Sequence, residues 1–222
     1  MTLGLDWRWR RKAAREILRG SPARFLDLGC GTGDLAVEVA RRSGSGLAVT
    51  GVDFVPAMLE SAGIKARNNG VGERIKFVAA DAASLPFPDG SFDAVGLAFS
   101  FRNLTHRNPS RERHLAEIYR VLRPGGKLVI VETSQPRNPF IRAGFHAYMR
   151  LLVGPIGGLI SDRAAYRYLA ESAAAFMPLA EATTLLEHSA FSVKTAMPLL
   201  FGVASLIVGI KPLTPERKIT DG

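Results

Sequence analysis

The sequence is poor in cysteine and has no long uninterrupted apolar run. Cys30 is the only cysteine among 222 residues, which excludes an intramolecular disulfide and a cysteine-cluster metal site and is typical of a reducing compartment. Residues 1–11 are rich in Trp and Arg and lack the apolar core of a signal peptide. Proline or glycine interrupts the apolar stretches 151–160 and 197–210, and both fall short of the roughly 20 residues that a membrane-spanning helix needs.

Basic residues outnumber acidic residues, which indicates an anionic partner. Lys and Arg total 29 against 20 Asp and Glu, a formal charge of +9. The excess begins in residues 1–20, where basic side chains surround Trp7 and Trp9. This pattern is typical either of a helix lying on an anionic membrane or of a solvated basic helix, and both alternatives stay open. No RNA- or DNA-binding signature accompanies the charge, so nucleic acid is not a predicted partner.

Hydrophobic patterning alternates between the periods of strands and helices. The alternation predicts one α/β domain over residues 1–222, with a parallel sheet, right-handed crossovers and helices on both faces. Residues 135–188 interrupt this alternation and predict a helical insertion over the carboxyl edge of the sheet, the side on which a substrate that accepts a group would bind. The predicted strands are Ala23–Leu28, Leu47–Val52, Ile75–Ala79, Phe92–Phe99, Lys127–Glu132, Phe191–Met197 and Leu199–Ile210, and the predicted helices between them are Leu35–Arg42, Ala57–Asn69 and Arg111–Leu122.

A glycine-rich loop follows the first predicted strand. Residues 27–34 read Asp-Leu-Gly-Cys-Gly-Thr-Gly-Asp, and glycines at such a turn let the backbone approach a ligand closely. Dinucleotide-binding loops carry Gly or Ala where this loop has Asp34, whose carboxylate repels a pyrophosphate. S-adenosylmethionine has no phosphate and carries a sulfonium and an ammonium, so we expect it as the cofactor in place of NAD.

Acidic side chains end the first three predicted strands and should meet at one edge of the sheet. A carboxylate at Asp53 can accept from both ribose hydroxyls, and Asp81 can accept from the adenine amino group beside the backbone amide of Ala82. Each Asp alone is more typical of a turn, whereas the three together predict a cofactor site. The predicted cofactor-binding residues are Asp27, Gly29, Gly31, Thr32, Gly33, Asp34, Asp53, Asp81, Ala82 and Ala98.

These residues, together with the stretch 85–93, resemble class I S-adenosylmethionine-dependent methyltransferases over residues 22–134. The resemblance implies a Rossmann-like sheet of seven strands that ends in an antiparallel hairpin. Residues 120–134, Arg-Val-Leu-Arg-Pro-Gly-Gly-Lys-Leu-Val-Ile-Val-Glu-Thr-Ser, resemble more narrowly a signature of the demethylmenaquinone and ubiquinone-pathway C-methyltransferases. Residues 101–105 and 166–172 resemble two further stretches of that family. One departure is Ala98, where the family has serine, while Ser100 stands two positions later.

The resemblance implies C-methylation of a polyprenylated naphthoquinol or benzoquinol. Because a ring carbon is a weak nucleophile, we expect a base or a cation that stabilises a phenolate. We predict that Arg102 stabilises the phenolate and that Asn103 orients a water or the hydroxyl, with a salt bridge as the alternative role of Arg102. The predicted acceptor-binding residues, for which helix packing is the alternative, are Tyr166, Arg167 and Tyr168.

The partners predicted from this chemistry are a lipid-soluble quinol and an anionic membrane surface. We therefore expect a cytoplasmic protein that attaches peripherally to the inner face of the membrane. The oligomeric state stays open, with a homodimer as one alternative, and no metal is predicted. Two other functions stay open: methylation of another small acceptor, such as a phenolic natural product or a lipid head group, and a non-catalytic module that binds a quinone or a nucleotide.

Overall fold

A computed structural model describes residues 5–148 and 176–213 of the chain. The strands are β1 Arg24–Leu28, β2 Ala48–Asp53, β3 Ile75–Ala79, β4 Phe92–Ala98, β5 Leu122–Thr133, β6 Ser192–Leu199 and β7 Ala204–Ile210. The described helices are α1 Leu5–Leu18, α2 Asp34–Arg42, α3 Pro56–Asn68, α4 Phe101–Thr105, α5 Arg111–Val121, α6 Pro139–Tyr148 and α7 Leu179–His188. Single turns of 3₁₀ helix lie at Gly72–Arg74 and Leu200–Gly202.

All seven strands belong to one sheet, in the order β3-β2-β1-β4-β5-β7-β6. Strands β1 to β5 pair in parallel, and β7 lies antiparallel between β5 and β6. This arrangement confirms the predicted Rossmann-like sheet with its C-terminal hairpin. The strand order reverses between β1 and β4, and sheets of this kind bind ligands in the crevice at the carboxyl ends of such strands.

Helices cover both faces of the sheet and bury two apolar cores. Helices α1 and α2 contribute to one core, and α5 and α7 contribute to the other. Helix α1 buries Trp9, Ala13, Ala14 and Ile17. Its apolar face is therefore part of the protein core and is not free to lie on a membrane. The outer side of α1 exposes Trp7 and basic side chains such as Arg8.

Two features near the centre of the chain differ from the predicted elements. Strand β5 begins at Leu122, because Leu122 pairs with Phe92 before the register shifts and Lys127 pairs with Ala94. Pro124 and Gly125, which lie between the predicted helix Arg111–Leu122 and the predicted strand Lys127–Glu132, thus form a local irregularity inside β5, with Gly125 at φ +74°. Helix α4 was not predicted, since five residues are too few to show a helical period.

Helices α6 and α7 border the central part of the predicted insertion. Residues 149–175 lie outside the described residues, and with them the predicted acceptor-binding residues Tyr166, Arg167 and Tyr168. Within 5–148 and 176–213, no helix has both the length and the apolar character needed to cross a bilayer.

The burial of α1 gives a stability prediction. Ile17 is fully buried between α1 and the sheet, so Ile17→Ala should lower the free energy of unfolding by about 2–5 kcal/mol, measured by urea titration. The matched control Arg15→Ala, on the exposed side of the same helix, should change it by less than about 0.5 kcal/mol. Equal effects of the two substitutions would contradict the packing of α1 against the sheet.

Candidate active site

The glycine-rich loop lies in the crevice between β1 and β4. Gly29, Gly31 and Gly33 all have positive φ, which a residue with a side chain adopts only with strain. A Cβ added to Gly29 would lie 2.6 Å from the Cβ of Ser100, so the loop and the start of α4 touch. The Ser100 hydroxyl donates a hydrogen bond to the carbonyl oxygen of Leu28 over 2.9 Å. This contact joins the two strands at the point where the strand order reverses.

Asp53, at the end of β2, holds the glycine loop in place. One of its carboxylate oxygens accepts from the backbone N–H of Gly31 at 2.8 Å, and the other accepts from the N–H of Val55 at 3.0 Å. Each oxygen has a second lone pair, so the carboxylate can still accept bonds from a ligand. Asp53 lines the crevice, so that capacity is available to a ligand there.

Asp81 and His114 form the opposite end of the crevice. The Oδ1 atom of Asp81 accepts from the N–H of Ala83 at 2.8 Å, and the Nε2 atom of His114 lies 3.9 Å from the same oxygen. The Nδ1 atom of His114 donates to the carbonyl oxygen of Leu104, 2.8 Å away, at the end of α4. This bond leaves Nε2 of a neutral ring as an acceptor and connects this end of the crevice to α4.

Asp27 is buried below the loop and does not line the crevice. Its Oδ2 atom accepts from the N–H of Ala36 at 2.9 Å in the first turn of α2, whereas Oδ1 has no hydrogen-bond partner. Burial raises the pKa of Asp27 to about 7, although the Ala36 N–H and the positive charge of Arg10 act in the other direction. The observed contacts of Asp27 are thus with the helix under the loop.

The charge around Asp34 is balanced, which corrects the argument that its carboxylate by itself repels a phosphate. The Nζ atom of Lys65 lies 2.6 Å from Asp34 and donates to the Thr32 hydroxyl at 2.8 Å. The guanidinium of Arg10 approaches Asp34 to 3.9 Å. Two cations therefore offset this carboxylate, and the choice of ligand depends on the whole crevice rather than on one loop residue.

The crevice has a volume of about 610 Å³, within the range of small-molecule sites. Of the predicted cofactor-binding and catalytic residues, those that line it are Gly29, Gly31, Thr32, Asp34, Asp53, Asp81, Ala82, Ala98 and Asn103. Asp27, Gly33 and Arg102 are not among its lining residues. Sequence reasoning missed Arg10, Phe99 and His114, which also line it. The signal for Arg10 in the sequence was the basic segment around Trp7 and Trp9, for which a membrane-bound helix and a solvated helix both stayed open.

A second cavity lies at the C-terminal end of α4, where His106 lines it. The Arg102 guanidinium lies over the ring of Phe176, with its Cζ atom 5.6 Å from the ring centroid. Its Nε atom is buried and has no hydrogen-bond partner. Phe176 lines the second cavity, of about 640 Å³, together with His106, Arg107 and His146. Asn103 thus lines the crevice, whereas Arg102 contacts Phe176, a residue that lines the second cavity.

Glu132 supports the first turn of α4 from the end of β5. Its Oε2 atom accepts from the backbone N–H of Arg102 at 3.1 Å, and Oε1 accepts from the N–H and the hydroxyl of Thr133. Burial raises the pKa of Glu132, while these bonds and the charge of Arg102 lower it. The carboxyl group therefore positions Arg102 through its backbone.

Comparison with known proteins shows which family the chain belongs to. The family model described as the ubiE/COQ5 methyltransferase family matches residues 1–211. The chain belongs to this family. It is 43% identical to a demethylmenaquinone methyltransferase of Thermus thermophilus over 96% of this chain and 93% of the relative. It is 35% identical to a ubiquinone/menaquinone biosynthesis C-methyltransferase UbiE of a Geobacter species, over 95% of this chain and 88% of the relative.

Solved structures of more distant proteins share the fold. A SAM-dependent methyltransferase from Aquifex aeolicus has a TM-score of 0.67 at 17% identity, over 93% of this chain and 92% of that one. The [4+2]-cyclase SpnF has a TM-score of 0.68 at 20% identity, over 94% and 81%. The fold alone thus does not fix the reaction. Family membership confirms that the chain is a methyltransferase and that its cofactor is S-adenosylmethionine.

The crevice fits this methyl donor. Gly31 lines the crevice and has no atom within 4 Å of where a Cβ would lie, which leaves room for close approach, and Asp53 has acceptor capacity for ribose hydroxyls. The donor is a zwitterion with an additional sulfonium, and the mixed charges of Asp34, Lys65 and Arg10 suit it. Within residues 5–148 and 176–213, no three His, Cys, Asp or Glu side chains are grouped as metal ligands.

The buried carboxyl of Asp27 gives a pH prediction. Its pKa is about 7 in the folded protein against the ordinary 3.8, so the folded state binds the extra proton between these values. Its contribution to the free energy of unfolding therefore falls as pH rises from about 4 to 7. Asp27→Asn is neutral throughout, so the ligand-free variant should gain stability relative to the unmodified protein between about pH 5 and pH 8, measured by thermal unfolding.

Asp93 provides the matched control. Its carboxylate accepts from the N–H groups of Ala23 and Arg24 and pairs with Arg123 at 2.6 Å. Asp93→Asn should therefore destabilise the protein at pH 8. A relative stability of Asp27→Asn that does not change with pH would contradict the account of Asp27.

Proposed function

We propose that this chain transfers a methyl group from S-adenosylmethionine to a ring carbon of a polyprenylated quinol. Demethylmenaquinol is the first acceptor to test, because the Thermus thermophilus relative at 43% identity is named a demethylmenaquinone methyltransferase. The ubiquinone-pathway benzoquinol is the second, on the name of the Geobacter relative. The structural observation that carries the proposal is the Arg102 guanidinium, whose buried Nε has no partner and which lies over the ring of Phe176, a residue that lines the second cavity.

Arg102 has the permanent positive charge that a quinol acceptor requires to become a better nucleophile. A quinol carbon becomes a better nucleophile as negative charge develops on the ring hydroxyl, and a guanidinium stabilises that charge while remaining protonated. A buried donor without a partner costs free energy in the ligand-free protein, and the phenolate oxygen would satisfy it. The Phe176 ring beside Arg102 offers an apolar surface on which an aromatic acceptor can stack.

Asn103 belongs to the donor side of the same helix. It lines the donor crevice, and its backbone carbonyl accepts a hydrogen bond from the Asn108 side chain at 2.9 Å. When bound, S-adenosylmethionine supplies a methyl group made electrophilic by the attached sulfonium. The proton of the quinol hydroxyl passes to a water that Asn103 orients, and Arg102 stabilises the phenolate that results. The ring carbon that gains the methyl group then loses its own proton to water. Helix α4 then holds the two groups at adjacent positions, so that alignment is part of the catalysis.

The proposed role of Arg102 predicts a separation of binding from turnover. Arg102→Gln should keep the affinity for S-adenosylmethionine, measured by calorimetry, and lower kcat on a short-chain demethylmenaquinol by roughly 100- to 1000-fold. Arg113→Gln, an exposed arginine on α5, is the control and should leave both unchanged. Unaltered kcat in Arg102→Gln would remove Arg102 from the mechanism. Turnover only on phenols or lipid head groups would replace the quinol as acceptor.

Contact with an anionic membrane belongs to this proposal and is supported by a surface near α6. Leu200 and Phe201 both have positive φ, and 76% of Phe201 is exposed. A Cβ on the adjacent Gly202 would lie 3.1 Å from Pro136, so this turn borders the segment that enters α6. Phe140 of α6 is 83% exposed, and exposed Arg137 precedes it. Apolar side chains beside basic ones suit an anionic bilayer, from which a polyprenylated substrate must be taken.

Vesicle sedimentation tests this membrane surface. Phe201→Ser should reduce binding to vesicles containing phosphatidylglycerol severalfold and leave the affinity for S-adenosylmethionine unchanged. The control is Leu213→Ser, because Leu213 is 80% exposed but contacts Gly125, at the opposite edge of the sheet. Equal sedimentation of Phe201→Ser and the unmodified protein would count against the surface.

A further inference from the structure

Arg10 is held at the rim of the donor crevice by the packing of α1. The neighbouring Trp9 is buried, and its ring centroid lies 6.2 Å from that of Phe99. The Arg10 guanidinium lies over the Phe99 ring, with its Cζ atom 4.8 Å from the ring centroid. Its side chain is only 18% exposed. The charge therefore has a defined place in the crevice instead of moving freely in solvent.

Arg10 carries the one permanent positive charge among the described residues that line this crevice, which also include the carboxylates of Asp34, Asp53 and Asp81. Its Nη1 atom donates to Asp6 at 2.7 Å. Its Nη2 atom is 3.9 Å from Asp34, which is longer than a hydrogen bond. A guanidinium has five N–H donors, so most of this donor capacity is left for a ligand.

The methyl donor has a single anionic group, its α-carboxylate. The ribose and adenine are neutral, and the ammonium and sulfonium are cationic, so the carboxylates of Asp53 and Asp81 would repel the α-carboxylate if it lay beside them. We propose that Arg10 binds the α-carboxylate of S-adenosylmethionine and selects for donors that carry it. This inference rests on the proposed function and adds the group that fixes which way the donor lies in the crevice.

A guanidinium matches a carboxylate with two parallel hydrogen bonds, which gives direction as well as affinity. Arg10 would thus fix one end of the donor beside the glycine loop, while His114 and Asp81 lie at the other end. Lys65 is the other cation near the loop, but its Nζ atom already donates to Asp34 and Thr32, and it does not line the crevice. The proposal therefore distinguishes Arg10 from Lys65.

Calorimetry with two ligands tests the proposal without measuring turnover. S-adenosylmethionine and its decarboxylated form differ only in the α-carboxylate. The unmodified protein should bind the carboxylated ligand roughly 10- to 100-fold more tightly, as expected for a charge-assisted hydrogen bond. Arg10→Gln should lose this preference by weakening only the carboxylated ligand, and Arg10→Lys should restore part of it. Arg8→Gln makes the same change in net charge at an exposed position of α1 and should keep the preference.

The outcomes separate the inference from the proposed function. If the unmodified protein binds both ligands equally, or if Lys65→Met and not Arg10→Gln removes the preference, Arg10 does not bind the carboxylate, and the methyltransferase proposal stands. If the unmodified protein binds neither ligand, both proposals fail. A preference that disappears in Arg10→Gln and persists in Arg8→Gln supports the inference.

Discussion

The contact across the reversal point of the sheet, between the start of α4 and the end of β1, is the constraint on which the site depends. Ser100 donates to the Leu28 carbonyl, and Gly29 lacks the side chain that would collide with Ser100. Because the crossovers leave in opposite directions from β1 and β4, a crevice opens between the carboxyl ends of these two strands. The same contact fixes the position of α4. It therefore determines both the shape of the donor crevice and the position of Arg102.

The charged groups around the crevice have different roles, which depend on how deeply each group is buried. Asp53 lies at the crevice wall and is held by two backbone N–H groups, whereas Asp27 is buried with one oxygen unpaired and has a raised pKa. Near the loop, Lys65 and Arg10 offset Asp34. A surface with both positive and negative charges suits a ligand that carries a carboxylate, an ammonium and a sulfonium. This balance also explains why the strongly positive net charge does not by itself identify the ligand.

The strand pattern was predictable because each of the first four strands is a short apolar run bounded by turn residues, and their observed ends lie within one residue of the expected ones. The start of β5 was not predictable, since Pro124 and Gly125 normally end an element and here sit in an irregular strand pairing. Likewise, Leu199 was assigned to the last strand but ends β6, and a 3₁₀ turn follows it.

For the site, the ends of the parallel strands could be predicted because topology brings them to one edge. The burial of Asp27 could not be predicted from the sequence, because it depends on how α2 packs over β1. Arg10 and Lys65 lie far from the loop in sequence, and only tertiary packing of α1 and α3 brings them to it.

The most direct test of the account is a crystal structure of the protein with S-adenosylhomocysteine, the demethylated form of the donor. The account predicts that this ligand fills the crevice between the glycine loop and α4, with its ribose hydroxyls on Asp53 and its base toward Asp81. A complex in which the ligand lies elsewhere, with the crevice closed by the protein's own side chains, would contradict it.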